Sequence, residues 1–484
     1  MSTLLLRAQP HARTVIAIFM SALAAAYVGQ AVAMGRTTIA LLLPAAVLIV
    51  ATVFRLSLAG WCGLLLLSSV TSRGLVDSLG FPGIINYLHY PIAVAFAIAA
   101  CFRPHHETRA RKPAARWLIG LLLVTLLSAV FNATHVWRIV LFLTIVGEPL
   151  LIIWAIVRWG PVEPAERRTL LVLGALLLLQ VPIGISQGLS LGWADPVQGT
   201  LVGQGAGAHL LGGLFGIGIF VLAAGLVTKR IPAIVGLFGG GIALGMIVAA
   251  SVMQVLAAIG LGLVVAVILG SRGGTSETGQ PRVNSKSLFG IVVVLAMAVA
   301  GGMLIRALVP HLDQRIDIVL GLTESKQVRM VTEREGQSFW VGSGPGTSAS
   351  RASLLLTPAQ LQEDSPLRAL NVPPTSLALH LAAQALAYGG SAESPASSAL
   401  GIYGDLGLLG AVFTLIFLVA IWREVGANGS WLALAAQGSL VMVFALSFVD
   451  NWLEYPEFTV PLGVLLGLAL GGSSYPERRV NALS

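Results

Sequence analysis

The chain has 484 residues, 56% of them hydrophobic and only 10% charged, with a formal net charge of +8. A soluble chain carries about 25% charged residues, so this composition, with a mean hydropathy of +0.87, excludes an array of soluble domains. The apolar runs are long and continuous, which excludes an outer-membrane barrel, whose strands alternate.

What remains is an all-α polytopic bundle of transmembrane helices, and its 55 glycines suit closely approaching membrane helices. The basic balance reads as the Lys and Arg of cytoplasmic loops, and no nucleic-acid partner is expected. Cys62 and Cys101 both lie in apolar runs, without disulfide or zinc spacing.

In chain order, Arg7 and Arg13 precede an apolar stretch ending in Ala31-Val32-Ala33, which mimics a signal-peptide cleavage site. The run is too long for a typical signal peptide and more spans follow at once, so a retained first helix is expected. At about 20 apolar residues per crossing, spans are predicted at 14–34, 37–55, 57–72, 84–101, 116–134, 137–158, 169–189, 207–227, 231–249, 250–270, 287–308, 396–421, 431–450 and 457–472. This gives about 14 crossings.

With the N-terminus inside, the inner segments hold the Arg103 to Arg116 cluster, Arg158, Arg167, Arg168, Lys229, Arg230 and Arg423. The short outer segments hold only Arg36, Arg73, Arg138 and Arg306. Both termini are therefore expected in the cytoplasm. Three regions follow: N-terminal spans over 1–308, a large outer loop over 309–395, and closing spans over 396–484. Long translocated loops escape the charge rule. Within this one, helices are predicted at 312–335 and 374–388, the second lying along the membrane surface.

Two segments draw attention for chemistry. Phe339-Trp-Val-Gly-Ser-Gly-Pro-Gly-Thr-Ser-Ala-Ser-Arg351 places Gly342, Gly344 and Gly346 at alternate positions, so backbone N–H groups can face an anion. Arg329, Arg334 and Arg351 flank it, and guanidinium groups bind phosphate bidentately. The plain alternative is a flexible turn. The second segment, Glu393-Ser-Pro-Ala-Ser-Ser-Ala-Leu-Gly-Ile-Tyr-Gly-Asp405-Leu-Gly-Leu-Leu-Gly410, carries an acid into a span. Such an acid faces a bundle interior or a cavity, or pairs with a neighbouring Arg. Glu148, followed by Pro149, is either a cavity acid or a buried structural pair. His209 is a ligand contact or a polar residue at a span end.

Together these segments resemble the O-antigen ligase and polysaccharide polymerase family of bacterial membrane glycosyltransferases. Val197-Gln-Gly-Thr-Leu-Val-Gly-Gln-Gly-Ala-Gly-Ala-His209 is similar to the stretch where an outer loop of that family enters a span. The order of spans, basic inner loop, large outer loop and closing spans also matches, over about residues 195–450.

The resemblance implies a protein of the bacterial inner membrane with its large loop in the periplasm. It would move a glycan from an undecaprenyl-pyrophosphate carrier to an acceptor hydroxyl at the outer face. No cofactor and no metal are implied, and the outer loops hold no Asp-x-Asp pair. Arg329, with Arg315 or Arg351, would hold the diphosphate, and the base would be Glu393, His380 or Asp405. A flippase and a chain-length regulator are the implied protein partners.

Ligases of this family show a His-Asn pair near the end of the large loop, where this chain has Glu393-Ser394. The expectation is therefore a polymerase of exopolysaccharide, capsule or O-antigen repeats, with a ligase as the alternative. A polysaccharide-lipid flippase or other transporter is the reading from another class. It calls for charges on many spans, whereas polar residues here concentrate near 309–405.

Overall fold

The computed structural model describes residues 56–79, 81, 83–103, 111–193, 196–201, 207–272, 338–357, 361, 366–387, 397–428, 430–448 and 450–472. The chain divides into two units, Met1–Trp61 and Cys62–Ser484, and nearly all described residues belong to the second. Every regular element among them is helical. Eight helices come first: α1 Leu58–Leu79, α2 His89–Cys101, α3 Arg111–Phe131, α4 Val136–Trp159, α5 Glu163–Leu191, α6 Gly207–Val227, α7 Ala233–Ala249 and α8 Met253–Arg272. Two short ones follow, α9 Arg351–Leu354 and α10 Ser376–Ala387. The last three are α11 Ser398–Ala427, α12 Ala433–Leu446 and α13 Pro456–Gly471.

Helices α1, α4, α5, α6 and α11 are long and apolar enough to cross a membrane, and α2, α3, α7, α8, α12 and α13 contain shorter apolar stretches. The spans predicted at 14–34, 37–55 and 287–308 and the loop helix at 312–335 lie outside the described residues. Each of the others coincides with a helix. The loop helix predicted at 374–388 is α10, whose Leu377, Ala378 and Leu381 pack with Ala349 and Leu354.

Local chemistry sets the boundaries. Gly160 closes α4 with φ +74, its N–H donating to Ile156 O, and Pro161 follows. Proline opens α5 and α13, where its missing N–H costs no helix hydrogen bond. Helix α6 is apolar all round and almost wholly buried, packed by α5, α7, α8, α12 and α13.

Helix α13 lies along α4 through Gly463, Gly467 and Gly471. A Cβ at Gly463 would stand 3.1 Å from Pro149 O, and one at Gly467 2.8 Å from Ile156 Cδ1. Membrane helices gain little from hydrophobicity toward each other, so this close approach is what holds the pair.

Polar ties gather at the two ends of the unit. At one end Glu163 meets Arg230 at 2.7 Å, Arg158 donates to Ala100 O and Cys101 O, and Asn428 Nδ2 reaches the carbonyls of Ala469, Leu470 and Gly472. The other end holds the 338–357 segment, the start of α11 and the turn between α12 and α13.

Candidate functional site

The two segments singled out in the sequence form one structure. Helix α11 is broken at Gly407 (φ +66, ψ −160), which takes its turn out of helical geometry. The break releases backbone groups, and in an apolar surrounding each must find a new partner. The glycine-rich segment supplies them. Leu408 and Leu409 donate to the carbonyls of Phe339 and Trp340, Ser343 N–H donates to Gly404 O, and Gly344 N–H donates to Asp405 O. Ser128 of α3 completes the junction, its Oγ 2.6 Å from Val341 O and 2.9 Å from Asp405 O.

The anion that this glycine loop receives is the chain's own. Asp405 Oδ2 accepts the Gly346 N–H at 2.7 Å, while Oδ1 accepts Ser348 N–H at 2.7 Å and Thr347 N–H at 3.2 Å. Gly342, Gly344 and Gly346 all have positive φ, which is what turns successive N–H groups inward. Gly342 must also be small, because a Cβ there would stand 2.6 Å from the backbone of Asp405 and Gly407. Arg138 clasps the loop from outside, Nη1 donating to Gly346 O at 2.5 Å and Nη2 to Pro373 O.

Beside this clasp, Arg351 enters a buried ionic cluster. Its N–H donates to Glu454 Oε2 at 2.5 Å, Nη1 donates to Glu454 O at 3.2 Å, and the guanidinium lies 4.7 Å from the Tyr455 ring centre. Glu457 Oε2 is 3.8 Å from Arg351 Nη1, and Glu457 Oε1 pairs with Arg73 Nε of α1 at 2.5 Å. Two guanidinium groups from distant elements thus converge on one carboxylate. Glu454 sits in the turn before α13, and burial, together with the nearby Asp405 carboxylate, pushes its carboxyl up to about 8.

A third pair borders the cluster. His89 Nδ1 of α2 and Glu148 Oε1 of α4 are 2.7 Å apart, with both side chains almost fully buried. Glu148 lies close enough to Glu457 and Arg351 to feel their charges. The His89 and Tyr90 rings are 4.0 Å apart. Tyr90 in turn lines an apolar groove of about 390 Å³, open at the surface, with Tyr87, Trp137, Leu141, Leu367 and Leu370 among its walls.

Of the expected site residues, Arg351 and Asp405 come together at this end of the unit. Asp405 is fully buried and committed to three N–H donors, and the glycine N–H groups are committed to the chain itself. His380 is exposed on α10. His209 of α6 contacts Gln254 of α8 through Nδ1. The preceding stretch is pinned to α5, where Gln187 Oε1 accepts the N–H groups of Gln198 and Gly199. Arg315, Arg329 and Glu393 lie outside the described residues. The start of α11 is tied down by Ser397 Oγ donating to Ser447 O and Ser398 Oγ to Asn451 Oδ1.

Sequence reasoning passed over Arg73, His89, Tyr90, Glu454 and Glu457. A signal for Arg73 and Arg138 was available: both broke the inside bias of basic residues. Glu454 and Glu457, three apart around Tyr455-Pro456 at the mouth of an apolar run, were a second. Among the described residues no three His, Cys, Asp or Glu side chains are grouped as metal ligands. No protein-family model and no curated protein matches the sequence.

Proposed function

We propose that this membrane protein is a glycan polymerase that joins oligosaccharide repeat units carried on undecaprenyl pyrophosphate at the outer face of a bacterial inner membrane. The observation that carries the reading is the convergence of Arg73 and Arg351 on Glu457 beside an apolar groove lined by Tyr90. Such a pairing suits an amphipathic anion, with an isoprenoid chain along the groove and a diphosphate at the guanidinium groups. In this reading Arg73 joins Arg351, which the sequence had offered, like Arg315, as a partner of Arg329. The two cations stabilise the charge that develops on the diphosphate as the glycosidic bond breaks.

The test is the glycan length profile of the source cell with the gene deleted, then complemented with wild type, Arg351→Ala or Arg73→Ala. The expected result is single repeat units on the carrier after deletion. Neither variant would restore long chains, although both reach normal membrane levels. Long chains that build up on the carrier and never reach the final anchor would assign a ligase instead. An unchanged glycan profile would overturn the enzyme reading and favour a transporter.

A further inference from the structure

Transfer to a hydroxyl requires a group that takes its proton, and no candidate from the sequence is placed for it among the described residues. Asp405 is enclosed by three N–H groups and His380 is exposed on α10.

We propose that the buried His89–Glu148 pair is the proton acceptor of this site, His89 as the catalytic base and Glu148 as its positioning residue. The proposal rests on the glycan-transfer reading above. Three observations carry it. The pair spans two helices at 2.7 Å through Nδ1 and Oε1, which fixes the imidazole and leaves Nε2 as the nitrogen that can take a proton. This is the arrangement by which a carboxylate orients a histidine base. Second, Glu148 Oε2 is buried without a hydrogen-bond partner, an acceptor that a bound hydroxyl would satisfy. Third, the pair adjoins both features: His89 is in ring contact with the groove residue Tyr90, and Glu148 lies near Glu457 and Arg351.

The step balances. The acceptor oxygen forms a bond to the anomeric carbon as the bond from that carbon to the diphosphate oxygen breaks. The electron pair leaves with the diphosphate, toward Arg73 and Arg351. The hydroxyl proton passes to His89 Nε2, and the imidazolium is held by Glu148 through Nδ1–H until water removes the proton.

The titratable and charged groups around the pair are Glu457 from α13, Arg351 from α9, Arg73 from α1 through Glu457, and Tyr90 beside His89 on α2.

The experiment uses the full chain reconstituted in lipid nanodiscs. The substrate is the lipid-linked repeat unit purified from the deletion strain, and polymer formation is followed from pH 5.5 to 9. For His89→Asn the expected result is a KM near that of wild type, a kcat at least about 100-fold lower, and loss of the acidic limb of the pH profile. Glu148→Gln should shift that limb, and Arg351→Ala should raise KM for the lipid donor.

A His89→Asn protein with wild-type kcat and pH profile, beside an inactive Arg351→Ala, would overturn the base and leave the glycan reading standing. Wild type inactive on this donor at every pH would overturn the glycan reading itself. Should His89→Asn fail to reach the membrane, the Glu148→Gln profile decides. A limb unchanged from wild type would reject the pair.

Discussion

Glu454 meets opposing demands. Its Oε2 accepts the Arg351 N–H, yet it is buried beside Asp405, and together burial and that neighbouring charge raise its carboxyl from the usual 4.5 to about 8. A carboxyl that binds its proton more tightly in the folded chain favours folding most at low pH. Below pH 4.5 folded and unfolded chains both hold the proton, and the contribution is complete. Between 4.5 and 8 the unfolded chain releases it first, so stability falls by up to about 1.4 kcal/mol per pH unit. Above 8 both forms are ionised and the loss levels off. Glu454→Gln keeps an acceptor for Arg351 and has nothing to titrate. Thermal unfolding in detergent should therefore fall from pH 5 to 8 more steeply in wild type than in the variant. Equal slopes would mean that Glu454 ionises normally.

At the scale of elements, the break in α11 and the glycine loop depend on each other. Helix α11 cannot close over Gly407 without partners for its freed groups, and the loop cannot hold three inward N–H groups without a negative charge among them. Asp405→Ala removes that charge and strips two buried donors, the N–H groups of Gly346 and Ser348, of their acceptor. A loss of roughly 3–5 kcal/mol is expected, read as a lower unfolding temperature and faster proteolysis within 338–357. A variant as resistant as wild type would show that the clasp is not what orders the loop. The sequence made both partners conspicuous, through alternate glycines and an acid within an apolar run. It did not reveal that they face one another, because the hydrogen bonds join residues more than fifty positions apart. Hydropathy located α6 at its full extent, since a helix apolar on every side announces itself by length alone. The ionic cluster stayed hidden for the opposite reason: Arg73, His89, Glu148, Arg351 and Glu457 come from five helices, and no spacing in the chain links them.

For the whole molecule, the two polar ends of the unit give the orientation argument a physical form. The end with Arg158, Glu163, Arg230 and Asn428 carries the basic loops, and we propose that it faces the cytoplasm. The end with the glycine loop, the cluster and α10 then faces outward. Single cysteines placed at Arg230 and His380, in a chain whose Cys62 and Cys101 are replaced by serine, should separate the two with a membrane-impermeant maleimide. Spheroplasts are expected to label position 380 directly and position 230 only after lysis. The reverse pattern would invert the topology and remove the periplasmic reading with it.

The wiring of Arg351 also has a consequence for synthesis. The glycine loop leaves the ribosome well before its carboxylate at Asp405, and Arg351 leaves it about a hundred residues before Glu454 and Glu457. Until those late residues arrive, α4 and α6 lack α13 as a packing partner and the Arg351 guanidinium waits with its demands unmet, while Asp405 already serves the loop N–H groups. A nascent chain interrupted after α12 would thus be a membrane-inserted bundle with an open, electrically unbalanced corner. The cell's membrane quality control would have a local defect to detect, because the ionic cluster closes only after Glu454 and Glu457 have been made.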